Sequence, residues 1–140
     1  MSIFETKLNR LKGIIYSNEE QIRSVIGVRN YIYNNYATDL NLDSLSDSTF
    51  ISKYHLIRLF KKYYGLTPRQ YLIDVRIQNS KEHLRNGMSV TETCFEIGFE
   101  SLGSFSTLFK SKIGKSPSKY QKEQLSRSKL SSELRTSTNK

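Results

Sequence analysis

Residues 59–71 read LFKKYYGLTPRQY and residues 108–120 read LFKSKIGKSPSKY, so the second stretch repeats the first at an offset of 49. The copies match at Leu59/Leu108, Phe60/Phe109, Lys61/Lys110, Gly65/Gly114, Pro68/Pro117 and Tyr71/Tyr120, and the same offset pairs Ser52 with Ser101. Only two prolines occur in the chain, and both fall at equivalent places in this repeat. An internal repeat of this kind is one supersecondary unit used twice.

The unit is legible from its spacing. In the first copy Leu56, Leu59, Phe60 and Tyr63 follow the i, i+3, i+4, i+7 rule of a helix's buried stripe. Ser52 is placed to cap that helix, Gly65 to end it in the left-handed region, and Pro68 to open the next one. Upstream, Asn41 caps a short helix containing Leu42 and Leu45, with a turn near 49–51. Short helix, tight turn and longer basic helix make a helix-turn-helix. The second copy repeats the plan: Val90 and Cys94 on the short helix, Gly98 in the turn, and Phe105, Leu108 and Phe109 on the stripe of the longer helix. Here the turn is one residue longer, so upstream positions align at an offset of 48.

The flanks are helical too. Ile22, Val25, Ile26, Ile32, Tyr33 and Tyr36 predict an amphipathic helix ahead of the first unit. Ile73, Ile77, Ser80 and Leu84 line one stripe of a long connecting helix between the units. Phe4, Leu8, Leu11 and Ile15 predict a short extra helix at the start, and the Ser-, Thr-, Lys- and Arg-rich tail from Leu125 is expected to be disordered. The organisation expected is an extension over 1–21, a domain over 22–124 and a tail over 125–140. Within the domain, the first helix-turn-helix covers about 41–64, the linker helix 67–85 and the second helix-turn-helix 89–113. No strand pattern appears, and the fold class expected is all-α.

Charge says what these units meet. The 140 residues carry 22 Lys+Arg against 13 Asp+Glu, a formal net charge of +9. Residues 52–69 hold five basic side chains and no acid, and residues 101–122 hold five lysines and no acid. Two basic islands that are copies of each other point to two contacts on one polyanion. No apolar window is long enough for a membrane span. No signal peptide is visible in the charged first twenty residues, and the single cysteine, Cys94, cannot form an internal disulfide. The expected setting is therefore cytoplasmic.

Opposite the buried stripe of the first longer helix lie Tyr54, Ile57, Arg58 and Lys61, and the 49-residue offset carries this face to Gly103, Ser106, Thr107 and Lys110. Such a helix fits the major groove of double-stranded DNA, where base edges differ in their donors, acceptors and methyl groups. Arg58 is best equipped to read a base, because its planar fork matches guanine O6 and N7. Tyr54 and Ile57 suit thymine methyls or sugars, Ser106 and Thr107 make only short contacts, and Gly103 permits close approach. The first unit is expected to carry most of the discrimination and the second mostly grip. Ser52, Ser101 and Ser104 at the helix starts, with Lys53, Lys61, Lys62, Lys110 and Lys112, are the expected phosphate contacts.

From about Ile22 to Gln121 the chain resembles the DNA-binding domain of the AraC/XylS family of bacterial transcription regulators. The resemblance rests on SKYHLIRLFKKYYGLTPRQYL (52–72), on Arg76–Ile77, and above all on SVTETCFEIGFESLGSFSTLFKSKIGKSPSKY (89–120). It implies seven helices, with two helix-turn-helix units joined by one long helix and recognition helices entering successive major grooves of a promoter. By position, the family's base-facing residues fall on Tyr54, Ile57 and Arg58, and on Leu102, Gly103, Ser106 and Thr107. Four positions depart from the pattern: Leu102 and Gly103 stand where some members have long polar side chains, Phe50 stands where the simplest first turn has glycine, and His83 stands at an apolar position. About 21 residues ahead of the domain are too few for the effector-binding or dimerisation domain most members add. The resemblance is therefore to stand-alone members that act as monomers on DNA. Residues 1–16 are left with two open roles, docking a partner or covering the domain's own surface.

Catalytic readings fare badly. Ser116–Lys119 and Ser126–Lys129 match S-x-x-K in basic, serine-rich sequence where such matches arise cheaply. Cys94 lies on an apolar stripe, His55 and His83 share no metal-ligand spacing, and no phosphate-binding glycine loop occurs. No cofactor, metal or enzymatic activity is expected. The favoured function is a sequence-specific regulator, an activator that also touches RNA polymerase. The alternative is a helical module binding a protein partner, with DNA affinity incidental or lost.

Overall fold

A computed structural model describes the backbone of residues 2–49 and 52–138, and their side chains apart from 11–17, 47–49 and 137–138. Among the described residues there are seven helices and no strand: α1 (Ile3–Asn35), α2 (Leu42–Thr49), α3 (Lys53–Tyr64), α4 (Pro68–Arg85), α5 (Val90–Glu96), α6 (Leu102–Ile113) and α7 (Pro117–Thr138). The expected turn over 49–51, with Phe50, and the inward roles of Leu11 and Ile15 lie outside what is described. The helices form two compact units, Met1–Asn35 with Leu40–Tyr71 and Tyr36–Asp39 with Leu72–Lys140.

In the first unit α1 and α2 pack on α3. Its core holds Val25, Val28 and Ile32 of α1, Leu45 of α2, and Leu56, Leu59 and Phe60 of α3. Two expectations are corrected here. Tyr63, expected on the buried stripe of α3, is 37% exposed, and Tyr64 turns inward instead, with its ring 4.8 Å from Phe60 and beneath the Arg29 guanidinium at 5.5 Å. Positions 63 and 64 sit at i+3 and i+4 from Phe60, and the core lies on the i+4 side. Tyr71 and Tyr64 hold the Arg29 guanidinium still more firmly protonated than usual. On α1 the buried set is Val25, Val28 and Ile32, while Ile22, Ile26 and Tyr33 are exposed. Two apolar stripes run along this helix, about a quarter-turn apart, and only the one facing α3 is covered.

The separate short helix expected over 4–15 is instead the start of a continuous α1, in which Phe4 and Leu8 are exposed. Ser2 Oγ accepts from Glu5 N at 3.2 Å to cap it, and the intervening YSNEEQ stretch holds no proline to stop it. The tail is corrected as well. From Leu125 it continues α7 as helix to Thr138 rather than forming a disordered segment, although residues 125–136 are all exposed. Helix α7 is nucleated where it is packed: Ser116 Oγ accepts from Lys119 N at 3.2 Å, and Tyr120 is buried against Phe109, ring centroids 5.5 Å apart. Once a first turn exists, each further residue adds a hydrogen bond at little cost, and no glycine or proline follows Pro117. The Lys115 ammonium beside Glu123 holds that carboxyl below its usual range.

The second unit packs Ile77 and Leu84 of α4, Cys94 of α5, Ile97 and Phe99 of the turn, Phe105 and Phe109 of α6 and Tyr120 of α7 into one cluster. Ser80 reaches this interior because its hydroxyl donates to Ile77 O at 2.6 Å. Arg76 ties in the segment after α1: its Nε donates to Tyr36 O at 2.7 Å and an outer nitrogen to Thr38 O at 3.0 Å, with the guanidinium 5.5 Å over the Phe99 ring. Cys94 is fully buried, and burial pushes its thiol up. The expected outcome is that a thiol reagent labels the native chain orders of magnitude more slowly than the urea-unfolded chain, because the thiolate is the reactive species. Equal rates in both states would place Cys94 outside the core.

Candidate nucleic-acid interface

The two longer helices are built alike, side chain by side chain. Both are 12 residues long and start and stop at the 49-residue offset. Ser52 takes an extended conformation and its Oγ accepts from His55 N at 3.2 Å; Ser101 does the same for Ser104 N at 3.3 Å. Each serine oxygen thus satisfies one of the amides left open at a helix start, and its O–H remains able to donate outward. At the other end Gly65 (φ 78°) and Gly114 (φ 93°) return their amides to Lys61 O and Lys110 O at 2.8 and 2.9 Å. Pro68 and Pro117 then open α4 and α7. The preceding short helices are capped too, with Asn41 Oδ1 accepting from Asp43 N at 3.0 Å and Ser89 Oγ accepting from Glu92 N at 3.1 Å.

With Leu56, Leu59 and Phe60 turned inward on α3, the opposite face is presented to solvent. Tyr54 is 74% exposed, Arg58 and Lys61 are exposed, and Ile57 is half-buried. On α6, Phe105 and Phe109 are buried, Leu102, Gly103, Thr107 and Lys110 are exposed, and Ser106 is half-buried. Within each unit, the residues expected to face bases lie along one outward strip of one helix. The lysines divide. Lys61 and Lys110 are exposed, and Lys62 lies 5.4 Å over the Tyr63 ring. Lys53, by contrast, pairs with Asp43 at 3.7 Å and Lys112 with Asp74 at 3.0 Å. Sequence reading missed these two carboxylates, which lie 10 and 38 residues from their lysines and follow no local rule. Ser104 is exposed in the first turn of α6, where its amide is the one bonded by Ser101.

Among the described residues no group of three or more His, Cys, Asp or Glu could hold a metal ion. Nor is any helix long and apolar enough to cross a membrane. What the geometry offers is a pair of capped, outward-facing basic helices, each packed against the shorter helix that precedes it.

A family model described as a helix-turn-helix domain matches residues 45–123, more than half of the chain. A crystal structure of a probable AraC family transcriptional regulator from Rhodopseudomonas palustris superposes with a TM-score of 0.67 at 26% identity, covering 73% of this chain and 97% of that one. The chain belongs to the AraC/XylS family of transcription regulators. Among curated relatives of this family, an HTH-type transcriptional regulator of Pseudoalteromonas carrageenovora is 36% identical over 92 residues, 66% of this chain and 55% of that protein. The chain spans about half the length of the curated relatives it matches. The DNA-binding domain of AdpA, a global transcriptional factor solved in complex with a target DNA, shares the fold at a TM-score of 0.69 and 23% identity, covering 74% of this chain and 94% of that one. The family is one of DNA-binding transcription regulators.

Proposed function

We propose that this AraC/XylS member is a sequence-specific activator that places α3 and α6 in successive major grooves of one promoter, acting as a monomer on its site and touching RNA polymerase. The domain that does this spans residues 22–124, inside the cell. One observation carries the reading: a helix of the same length and caps, with an exposed lysine at the same outward position (Lys61, Lys110), recurs 49 residues later. Core packing does not require an exposed lysine at that position of both helices, whereas DNA repeats its groove every turn. On this reading Arg58 reads a guanine edge from α3 with Tyr54 and Ile57 beside it. Ser52, Lys61, Lys62, Ser101, Ser104 and Lys110 hold phosphates, and Lys53 and Lys112 join them by exchanging Asp43 and Asp74 for the DNA backbone.

Two substitutions test the division of labour. Arg58→Ala is expected to cost about 1–3 kcal/mol on the cognate duplex and to relax one base position. Lys110→Ala is expected to weaken cognate and random duplexes alike and to lower the salt slope by about one. Fluorescence anisotropy on both duplexes over a salt series measures both effects. Equal losses on the two duplexes for Arg58→Ala would remove its reading role, and no preference for any duplex would favour a protein-binding module instead.

A further inference from the structure

Gly103 is the second residue of α6, directly after Leu102, and the packing around it gives no reason for a glycine. It is not among the positive-φ glycines, which are Gly65, Gly87, Gly98 and Gly114. A Cβ built on it meets only the Ser101 Oγ, at an ordinary contact distance of 3.7 Å. Glycine orders less readily into a helix than a residue with a side chain, and the position is exposed. At the matching position α3 carries Tyr54, 74% exposed. One face therefore offers a large aromatic ring where the other offers bare backbone. What remains on the α6 face is Leu102, 41% exposed, flanked by the short hydroxyls of Ser106 and Thr107. In a major groove an aliphatic side chain with no donor or acceptor gains only from the one apolar group the base edges present, the C5 methyl of thymine.

We propose that the second unit reads a thymine methyl through Leu102, and that Gly103 is bare so that α6 can close on that base. The inference rests on the DNA-binding reading above. It makes α6 a selective reader of a methyl group rather than a grip alone, and Gly103 a specificity determinant rather than a structural glycine.

The test uses the full chain and a duplex bearing the two-part site it enriches from a random DNA pool. Each thymine of the half-site bound by α6 is replaced in turn by deoxyuridine, which deletes only the C5 methyl. At one or two positions affinity is expected to fall about fourfold, which is about 0.8 kcal/mol at 1.4 kcal/mol per tenfold. In Leu102→Ala that penalty is expected to vanish. Gly103→Ala is expected to keep or raise the melting temperature, by up to about 4 °C, while cognate affinity drops more than the random-duplex affinity. A deoxyuridine scan that is flat in the wild-type chain, or a penalty that persists in Leu102→Ala, overturns the inference while leaving Arg58 readout intact. Equal losses on cognate and random duplexes for Gly103→Ala make the glycine a phosphate-approach feature and overturn its specificity role. Absence of any enriched site fails both this inference and the reading beneath it.

Discussion

Replacing Gly98 with alanine is expected to destabilise the second unit by about 2–4 kcal/mol, a large share of what a small domain has to lose. Two penalties combine. The residue sits at φ 97°, a left-handed conformation that costs an L side chain about 1–3 kcal/mol. In addition, a Cβ there stands 3.0 Å from the carbonyl oxygens of both Tyr36 and Ala37. These are backbone atoms, and Arg76 fastens the same segment through Tyr36 O and Thr38 O, so it has little freedom to withdraw. Gly65→Ala supplies the control. Its φ of 78° is equally unfavourable, but nothing lies within 4 Å of the added Cβ, and only about 1 kcal/mol is expected. Urea denaturation followed by circular dichroism separates the two variants. Equal midpoints would mean that the turn before α6 is not held against the 36–38 segment.

Specific binding is expected to fall about forty-fold between 50 and 200 mM salt. Log affinity drops with log salt at a slope of roughly −0.9 per phosphate neutralised, and Lys61, Lys62 and Lys110 have no carboxylate partner among the described residues. Three neutralised phosphates therefore set a slope of about −2.7. Lys53 and Lys112 bring Asp43 and Asp74 with them; exchanging one anion for another releases fewer counterions from the complex, so they steepen the slope less than two unpaired lysines would. Removing the carboxylate reverses this: in Asp74→Asn the slope is expected to steepen by up to about one unit. Titrations at four salt concentrations suffice. A slope near zero would mean that the basic islands are solvated faces and not phosphate contacts.

Much of this was legible because the chain says it twice. Serine caps, glycine ends and prolines recur at one offset, and the structure places each where capping chemistry requires. Arg76–Ile77, quoted as a family mark, is explained by a guanidinium that pins the 36–38 backbone and an isoleucine that is fully buried. The residues that misled are those where periodicity permits two answers. Ile26 and Val28 both fit an amphipathic α1, and only the position of α3 decides that Val28 goes inside. Tyr63 and Tyr64 pose the same choice one helix later. The tail looked disordered by composition, yet its helix inherits a packed start at Tyr120. The ion pairs of Lys53 and Lys112 were invisible, since their acids are brought near only by tertiary folding. Of the expected outward strips, Tyr54, Arg58, Leu102, Gly103 and Thr107 are exposed while Ile57 and Ser106 are half-buried, because burial of the opposite stripe turns this side of each helix toward solvent.

Selection of bound sequences from a random double-stranded DNA pool, using the full chain, tests the paired-reader claim most directly. The account predicts an enriched site of two short blocks whose centres lie about 10–10.5 base pairs apart, with the block relaxed at one position in Arg58→Ala differing from the block altered in Gly103→Ala. A single block affected by both substitutions, or a pool that stays unenriched, would contradict it.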